Sequence, residues 1–493
     1  MSDSPSLDPR VGLEVHVRLR TATKLFCACP NTADARPNQA TCPICAGLPG
    51  AMPALNRKAV ELGVRAALTL GAKVQSLQAF DRKHYAYPDL PKGYQITQER
   101  LPLARGGGLT LPDGTYVALD RIHLEEDAGR SRHVEHATLV DLNRAGAPLI
   151  EIVSRPTLRS GTAVQAFLTR LREELRFAGV SDCDMESGSL RCDVNVSLVA
   201  PGQRGFARVE LKNLNSIRAA GDAVAHEFAR QAKLLAALAR GRGPGPTHET
   251  RGWHAPSSRS FAMRGKEHAT DYRYLPEPDL PALSLTADDL ERLEAERPPS
   301  ASNIRSRWQQ SLGLTRAHAT ALTRTPGRAA YFEACLAAGA EPTAAAKWIT
   351  NELAAASRPR PTVRCEDLLA PRALAELLDL VERGRLTRAG QARVFAAHLA
   401  QLDGTSRRHP TQLAAELGLL DPFTTRMRGF DNDLAALVRD ALAARPEAVS
   451  DVRAGKAKAL DALVGAVMGR ADGRAEGQAV RRALLLALAS EPA

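Results

Sequence analysis

The stretch GLEVHVRLRTATKLFCACP, residues 12–30, combines a strand-like alternation with a closely spaced pair of cysteines. In its first half, Glu14, His16 and Arg18 alternate with apolar residues. Successive side chains of a strand point to opposite faces, so the polar trio shares one face while the apolar residues pack inward. Taken alone, Glu14 and His16 fit a solvated strand face better than a metal site. Only partners elsewhere in the chain can change that interpretation.

Four cysteines are the second feature of this region. Cys27 and Cys29 form a Cys-x-Cys pair, and Cys42 and Cys45 form a Cys-x-x-Cys pair. Four thiolates at such spacings can close a tetrahedral zinc site, and the intervening loop is long enough to fold back. Half of the chain's eight cysteines lie in this short window, whereas the others are scattered. The pattern favours structural zinc over incidental buried thiols, and disulfides are disfavoured because nothing marks the chain for secretion.

Length and charge restrict the class of protein. A chain of 493 residues exceeds one ordinary core, so two to four domains are expected. The hydrophobic fraction of 44% and the charged fraction of 25% are those of a soluble globular protein. No apolar run reaches the length of a membrane span and no leader peptide is visible, so we expect a cytoplasmic protein without membrane contact. The net charge of +11 favours a polyanionic partner such as nucleic acid, with an arginine-rich proteome as the alternative.

A dense cluster of lysine, tyrosine, proline and glycine occupies residues 80–98, FDRKHYAYPDLPKGYQITQ. Helical and strand periodicity are lost here, which predicts an ordered loop or a surface ribbon. Its cations suit phosphate and its rings suit a base or an ester-linked ribose. These candidates are Lys83, Tyr85, Tyr87, Lys92 and Tyr94. Packing of the tyrosines against one another is the alternative explanation.

Acidic residues in two further segments can complete a site with the first strand. HLEEDAGR, residues 123–130, contains three adjacent carboxylates that repel one another unless a cation or solvent relieves them. Glu151 lies between isoleucines, and burying its charge is costly unless the charge is paired or metal-bound. Glu14, His16, Glu125 and Glu151 can therefore converge on one hard cation. These ligands suit Mg²⁺ better than zinc.

The rest of the first half predicts helices and further strands. Helices are expected over residues 56–70 and 162–178, and a long helix ends near Arg240. Before that long helix, Arg191 and Asp193 alternate along a polar strand face. No glycine-rich segment matches a phosphate-binding P-loop, so bound ATP requires another geometry.

From about Pro298 the sequence is rich in alanine, leucine and arginine, with proline breaks between helical segments. Helices are expected over residues 343–356 and 372–384, and almost throughout the C-terminal tail. The tail carries basic groups among small residues, namely Arg453, Lys456, Lys458, Arg470 and Arg474. This composition indicates a separate basic helical region, with an oligomerisation bundle as the alternative.

Seven motifs resemble, in order and spacing, those of the B subunits of the tRNA-dependent amidotransferases. They are GLEVHV, FDRKHYAYPDLPKGYQITQ, HLEEDAG, DLNRAGAPLIEIVS, SLRCDVNVS, ELKNLNS and DYRYLPEPDL. The resemblance runs from about Gly12 to the C-terminus. It implies an α+β fold with a mixed sheet-and-helix cradle domain (residues 1–290), an all-α helical domain (291–405) and an all-α YqeY-like tail (406–493).

The resemblance also implies an activity. Members of this family activate the side-chain carboxylate of a misacylated tRNA with ATP, which gives an acyl phosphate that ammonia attacks. Phosphorylation supplies a good leaving group, and Mg²⁺ neutralises charge as the phosphoryl group moves. The family's A subunit, an amidase, releases ammonia from glutamine, and a small C subunit braces the pair in a heterotrimer. The expected substrates are glutamyl-tRNA(Gln), aspartyl-tRNA(Asn) or both.

The resemblance further implies roles for particular residues. It implies that Glu14, His16, Glu125 and Glu151 form a catalytic Mg²⁺ site, and that the four cysteines match the structural zinc site of the zinc-bearing members. It implies that ATP, substrate or tRNA is bound by Lys83, Tyr85, Tyr87, Lys92, Tyr94, Ser189, Arg191, Asp193, Lys212 and Asn213. The tail is expected to hold the body of the tRNA. A non-catalytic zinc- and tRNA-binding adaptor is the alternative, although an adaptor has no need of carboxylates within apolar strands.

Overall fold

The computed structural model describes most of the chain, which divides into two compact units, Met1–Ala301 and Ser302–Ala493. The described residues are 7–32, 35–200, 207–265, 272–360, 362–402, 408–420, 432–454, 456–472 and 475–490. The first unit mixes a large sheet with helices, and the described elements of the second are helices, which confirms the expected α+β class. Arg474 of the predicted basic tail lies outside the described residues. The finer division into three domains stays a prediction.

The elements of the first unit are mostly strands. The strands are β1 (Asp8–Arg18), β2 (Lys73–Val74), β3 (Leu77–Gln78), β4 (Asp81–His84), β5 (Tyr94–Thr97), β6 (Ala104–Arg105), β7 (Gly108–Thr110), β8 (Tyr116–Glu126), β9 (Arg130–Val134), β10 (Ala137–Asp141), β11 (Pro148–Ser154), β12 (Leu190–Val199), β13 (Val209–Lys212), β14 (Glu249–His254), β15 (Arg259–Gly265), β16 (Leu275–Pro276) and β17 (Leu283–Ser284). The helices are α1 (Arg57–Thr69), α2 (Gly161–Phe177), α3 (Ile217–Ala239) and α4 (Ala287–Ala295).

One ten-stranded sheet organises this unit. Its strand order is β15-β14-β13-β12-β1-β11-β8-β6-β2, and β7 pairs with β8 beside this path. β1 lies between β11 and β12, and both neighbours run antiparallel to it. His16 of β1 is opposite Glu151 on one side and Arg191 on the other. Three segments that are distant in sequence therefore meet at one point of the sheet.

Helices cover the apolar face of the sheet. Val11, Leu13, Val15 and Val17 of β1 are buried and share one core cluster with apolar residues of α1, α2 and α3. Since side chains alternate along a strand, the polar residues of β1 lie on the opposite face. The inward packing predicted from the alternation is confirmed.

Asparagine and serine side chains fix where two helices begin. The side chain of Asn56 accepts hydrogen bonds from the backbone N–H groups of Lys58 and Ala59 at the start of α1. Ser160 accepts one from Ala163 at the start of α2. Such caps satisfy N–H groups that have no partner within the helix. Both starts lie within one or two residues of those predicted from the sequence.

The segment 80–98 contains two strands that sequence analysis missed. β4 and β5 pair antiparallel, and β16 adds a third strand beside β4. Asp81 at the start of β4 is fully buried. Its carboxylate accepts backbone hydrogen bonds from Glu99 and Arg100, each at 3.0 Å, which offset the cost of that burial. β4 is polar on both faces and shows no hydrophobic alternation, and β5 alternates over only four residues, too few for the periodicity to reveal a strand.

The described elements of the second unit are helices. They are α5 (Ala301–Leu312, which begins at the unit boundary), α6 (Arg316–Leu322), α7 (Pro326–Ala337), α8 (Pro342–Trp348), α9 (Ala354–Ser357), α10 (Pro371–Glu382), α11 (Arg388–Leu399), α12 (Pro410–Glu416), α13 (Asn432–Ala444), α14 (Pro446–Arg453), α15 (Ala457–Ala471) and α16 (Gly477–Ser490), with a π-helical turn at Ile349–Leu353. Residues of α13, α15 and α16 form an apolar cluster of their own. Among the described helices, none combines the length and apolarity that crossing a membrane requires.

Two glycines let α2 and α3 approach closely. A Cβ atom placed on Gly161 would lie 2.2 Å from the carbonyl oxygen of Gly221. That atom belongs to a helix backbone and cannot move aside as a flexible side chain would. A Cβ atom on Gly12 of β1 would instead meet its neighbours at 3.5 Å or more.

We expect Gly161→Ala to destabilise the first unit by about 1–3 kcal/mol, because α2 must shift away from α3. Gly12→Ala is the matched control and should change stability much less. Chemical denaturation of the two variants measures the difference, and equal midpoints would contradict the close helix packing.

Candidate active site and metal centres

The open face of the sheet carries polar side chains from neighbouring strands. They line a cavity of about 770 Å³, a volume typical of ligand-binding sites. The contributing strand residues include Glu14 and His16 of β1, His123 and Glu125 of β8, Glu151 of β11, Arg191, Asp193 and Asn195 of β12, and Glu210 and Lys212 of β13. The sheet register therefore brings the predicted catalytic residues together.

His16, Glu125 and Glu151 form the centre of this site together with a second histidine. Nδ1 of His16 lies 2.9 Å from Oε1 of Glu125. Nε2 of His123 lies 3.1 Å from Oε2 of Glu151 and 3.8 Å from Oε2 of Glu125. Glu125 and His123 are only 1% and 2% exposed. Two buried carboxylates thus have two imidazoles as partners, which offsets the cost of removing their charges from water.

Burial and pairing act in opposite directions on these groups. Burial lowers the pKa of His16, but its hydrogen bond with Glu125 and the charge of Glu151 raise that pKa to about 9. Burial likewise lowers the pKa of His123, but the charge of Glu151 and the proximity of both carboxylates raise it to about 9. Burial raises the pKa of Glu151, but His123 holds that pKa at about 2. Pairing therefore prevails over desolvation at all three groups.

Three of these residues fit a divalent cation. Donor atoms of His16, Glu125 and Glu151 all lie within 4.8 Å of one another. Ligands of an octahedral Mg²⁺ at about 2.0–2.1 Å are themselves about 2.9–4.2 Å apart, so small adjustments would close such a site. Glu14 lines the same cavity but accepts a hydrogen bond from Asn195 at 3.0 Å and is not part of this trio. Its role as a fourth ligand stays a prediction.

Cations from two strands border the carboxylate cluster. Arg191 pairs with Asp127 at 2.7 Å. Lys212 pairs with Asp193 and, at 3.1 Å, with Glu210. Burial lowers the pKa of Lys212, but the Asp193 and Glu210 carboxylates raise it to about 12. Both side chains therefore present positive charge to the cavity.

Lys83 of β4 lies in the cavity among aromatic rings. Its Nζ is 4.8 Å from the ring centroid of Tyr272 and 5.9 Å from that of Tyr85. Burial lowers the pKa of Lys83, but nearby charges, that of Glu125 foremost, raise it overall. A cation beside flat rings suits a ligand that combines phosphate with a planar base. Tyr87 also lines the cavity.

Four of the predicted binding residues lie outside the lining of this cavity, namely Lys92, Tyr94, Ser189 and Asn213. Lys92 pairs with Glu126, and the Tyr94 ring lies under Arg82 at 4.4 Å. Ser189 accepts a hydrogen bond from the backbone of Asp184 at 2.7 Å. A motif indicates which segment reaches a site, but it does not indicate which way each side chain points.

The cavity also contains residues that sequence analysis did not select, namely Arg121, His123, Arg144, Arg208, Tyr272 and Tyr274. A signal existed for His123, because it precedes Glu125 by two residues on one strand and so shares its face. Arg144 and Arg208 lie in irregular or short segments. Periodicity gives no signal for side chains of that kind.

The four cysteines come together as predicted. Their sulfur atoms lie within 4.8 Å of one another, and those of Cys42 and Cys45 are 3.9 Å apart. Tetrahedral zinc with Zn–S bonds of about 2.3 Å places sulfurs about 3.8 Å apart, so this cluster can bind a metal such as zinc. A hydrogen bond from the Cys27 thiol lowers the pKa of Cys45 to about 4, and the nearby Lys24 contributes to this shift.

Two models of known protein families match this chain, one over the unit that contains the sheet and one over the helical unit. The family model described as the GatB/GatE catalytic domain matches residues 9–291, and the model described as the GatB domain matches residues 330–488. These two matches cover most of the chain.

Full-length relatives carry one name, that of the B subunit of the aspartyl/glutamyl-tRNA(Asn/Gln) amidotransferase. The protein of that name from Thermus thermophilus is 44% identical over 481 residues, which cover 97% of this chain and 98% of the relative. Those from Elusimicrobium minutum and Geobacter sulfurreducens are 39% and 40% identical, and each alignment covers 93% of this chain and 94% of the relative. The chain therefore belongs to the family of B subunits of the aspartyl/glutamyl-tRNA(Asn/Gln) amidotransferases.

Proposed function

We propose that this chain uses ATP to activate the side-chain carboxylate of glutamyl-tRNA(Gln), aspartyl-tRNA(Asn) or both, for amidation. The observation that carries the proposal is the buried cluster of His16, Glu125 and Glu151, which opens into a cavity of about 770 Å³ lined by both cations and carboxylates. A purely structural cluster would have no need of such a cavity. The names of the relatives support the substrate class.

The proposed reaction consists of two displacements. A carboxylate oxygen of the aminoacyl group attacks the γ-phosphorus of ATP, the bond from that phosphorus to the β–γ bridging oxygen breaks, and ADP leaves. Ammonia then attacks the carbonyl carbon of the acyl phosphate, loses a proton and expels inorganic phosphate. Mg²⁺ held by His16, Glu125 and Glu151 would neutralise charge on the phosphoryl group.

The chain's own residues supply charge and position. Lys83, Arg191 and Lys212 line the cavity as cations that can bind phosphate oxygens. The rings of Tyr85 and Tyr272 offer flat surfaces for the base or ribose. Because ion pairs already order Arg191 and Lys212, little reorganisation is needed when phosphate binds.

Ammonia is proposed to come from other chains. The sequence carries no Gly/Ser-rich amidase signature. An A subunit with amidase activity that hydrolyses glutamine, together with a small C subunit, would complete a heterotrimer with this chain. The relatives' designation as B subunits supports such an assembly.

Glu125→Gln and Glu151→Gln test the activating step. An amide preserves the size of the side chain but loses the charge that holds a hard cation. We expect ATP-dependent amidation of misacylated tRNA to fall by about 100- to 1,000-fold, the scale on which losing one charge-stabilising group slows catalysis. Glutamine hydrolysis by the partner amidase should persist in the purified complex.

Glu294→Gln is the matched control, since Glu294 is an exposed carboxylate of α4 that pairs with Arg297. Its amidation rate should equal that of the unmodified complex. Unchanged amidation in either active-site variant would show that the carboxylate is not a required ligand and would favour the adaptor alternative.

We propose one structural zinc ion at Cys27, Cys29, Cys42 and Cys45, because all four ligand positions are protein thiols. Gently purified protein should contain one zinc per chain by elemental analysis. Cys42→Ala should lose that zinc and become sensitive to proteolysis between residues 27 and 45, because zinc binding to such sites contributes about 10–16 kcal/mol in small peptides. Cys183→Ala, at a buried cysteine outside the cluster, should retain the metal. Zinc-free unmodified protein would contradict the assignment.

We also propose that the tail binds the body of the tRNA through exposed basic residues, among them Lys458 and Arg470. Lys458→Ala with Arg470→Ala should raise the KM for intact misacylated tRNA. It should also reduce the slope of log affinity against log salt by about 0.7–0.9 for each phosphate that is no longer neutralised. Arg57→Ala with Lys58→Ala on α1 removes the same charge elsewhere and should leave both quantities nearly unchanged. Equal salt slopes in all three proteins would instead favour an assembly role for the tail.

A further inference from the structure

The cysteine cluster is physically joined to the wall of the cavity through a buried lysine. Lys24 is 0% exposed, and its ammonium donates to the carbonyl oxygen of Ala40 at 2.8 Å, that of Leu142 at 3.3 Å and the sulfur of Cys45 at 3.4 Å. Ala40 belongs to the loop between the two cysteine pairs, whereas Leu142 begins the turn of residues 142–147, which we term the Arg144 turn. One buried cation thus contacts the loop, the turn and a metal-ligating thiol.

Asn143 makes a second connection between the same two segments. Its Oδ1 accepts a hydrogen bond from the backbone N–H of Ala40 at 2.8 Å. Its Nδ2 donates to the carbonyl oxygens of Arg36 at 2.8 Å and Ala35 at 3.2 Å. The side chain is 5% exposed. All three hydrogen bonds lead to the loop that the cysteine pairs enclose, so the loop and the turn are held as one body.

Gly146 completes the connection by direct packing. Its φ of +81° favours glycine, and its carbonyl oxygen accepts a hydrogen bond from the backbone of Leu25 at 2.9 Å. A Cβ atom at this position would lie 3.4 Å from Cβ of Cys45 and 3.6 Å from Cδ of Lys24. The Arg144 turn therefore packs against the side chain of Cys45, one of the four clustered thiols.

The Arg144 turn also supplies a cation of the cavity. Arg144 lines the cavity and donates to the carbonyl oxygens of Ala128 at 3.0 Å and Gly129 at 2.5 Å. It also lies 3.5 Å from Asp127, the carboxylate that pairs with Arg191. The turn consequently places Arg144 at the proposed phosphate site, beside the ion pair of Asp127 with Arg191.

We propose that the cysteine cluster is a positioning element for the cavity, so that metal occupancy of the cluster and binding of nucleotide phosphates are thermodynamically coupled through the Arg144 turn. The inference rests on the proposed function, since it takes ATP as the anion in the cavity. Zinc cross-links the two cysteine pairs and holds the loop that Lys24 and Asn143 contact. Without it, the turn gains conformational freedom that anion binding must then remove.

Coupling of this kind is reciprocal, which makes it measurable at the metal. If zinc strengthens nucleotide binding by some factor, nucleotide must strengthen zinc binding by the same factor. The experiment titrates the purified heterotrimer with a chromogenic zinc chelator, with and without a non-hydrolysable ATP analogue and Mg²⁺. The same analogue without protein corrects for zinc held by its phosphates.

The analogue should tighten zinc binding by about fivefold or more, the lower end of ordinary coupling between sites. Asn143→Ala, which removes one of these connections without touching a thiol, should lower that factor, and Asn143→Asp should behave alike because it loses both donors to the loop. Asn31→Ala is the matched control. Its side chain bonds to Leu19 and Thr21, away from the turn, so the coupling should persist even if stability falls.

Equilibrium dialysis of the labelled analogue separates the coupling from the proposed function. If the analogue binds to the unmodified complex but does not change its zinc affinity, the coupling is wrong and the proposed function still stands. Absence of nucleotide binding overturns both. Coupling that is undiminished in both Asn143 variants shows that the hydrogen bonds between the loop and the Arg144 turn do not transmit it, and the inference is wrong.

Discussion

Pairing of Glu125 and Glu151 with His16 and His123 is the interaction on which the open face of the sheet depends. A buried carboxylate without a partner costs several kcal/mol, more than a typical single mutation. The distances of 2.9 Å from His16 to Glu125 and 3.1 Å from His123 to Glu151 show how the fold avoids that cost. Two of the four groups are on β8 and the others on β1 and β11, so pairing requires all three strands to be in register.

That register is imposed from the other side of the sheet. Slippage of β1 by one residue would move Val15 and Val17 out of the core and bring Glu14 and His16 against α2 and α3. Burial of the valines at 0% exposure therefore selects the alignment that unites the cluster. Hydrophobic packing stabilises one register of β1, and because side chains alternate along a strand, that register also fixes where the charged groups lie. Stability and site geometry have one cause in this unit.

The sequence predicts features that follow local patterns, such as strand alternation, cysteine spacing and helix caps. It does not predict which way the side chains of short strands and turns point. Alternation in β1, the cysteine spacing and the helix start at Asn56 each follow from local rules, and the structure agrees with them. Lys92 illustrates the failure. It lies in the same motif as Lys83, but its ammonium pairs with Glu126 outside the cavity, whereas Lys83 enters it. Short strands and turns orient side chains through tertiary contacts, and a motif does not encode those contacts.

The cations of the cavity are held in two physically different ways. Arg191 and Lys212 are on strands of the central sheet, where the hydrogen-bonded ladder fixes the backbone and leaves only side-chain freedom to be restrained. Arg144 lies in a turn that has no such ladder, so its backbone must be restrained by other contacts. Backbone hydrogen bonds with Asp127 provide some of these contacts. Lys24, Asn143 and Gly146 provide others, and all three connect the turn to the cysteine-containing segment. The cysteine cluster therefore lies against the part of the cavity wall whose backbone is not held by strand pairing, and a metal bound there would restrain that part.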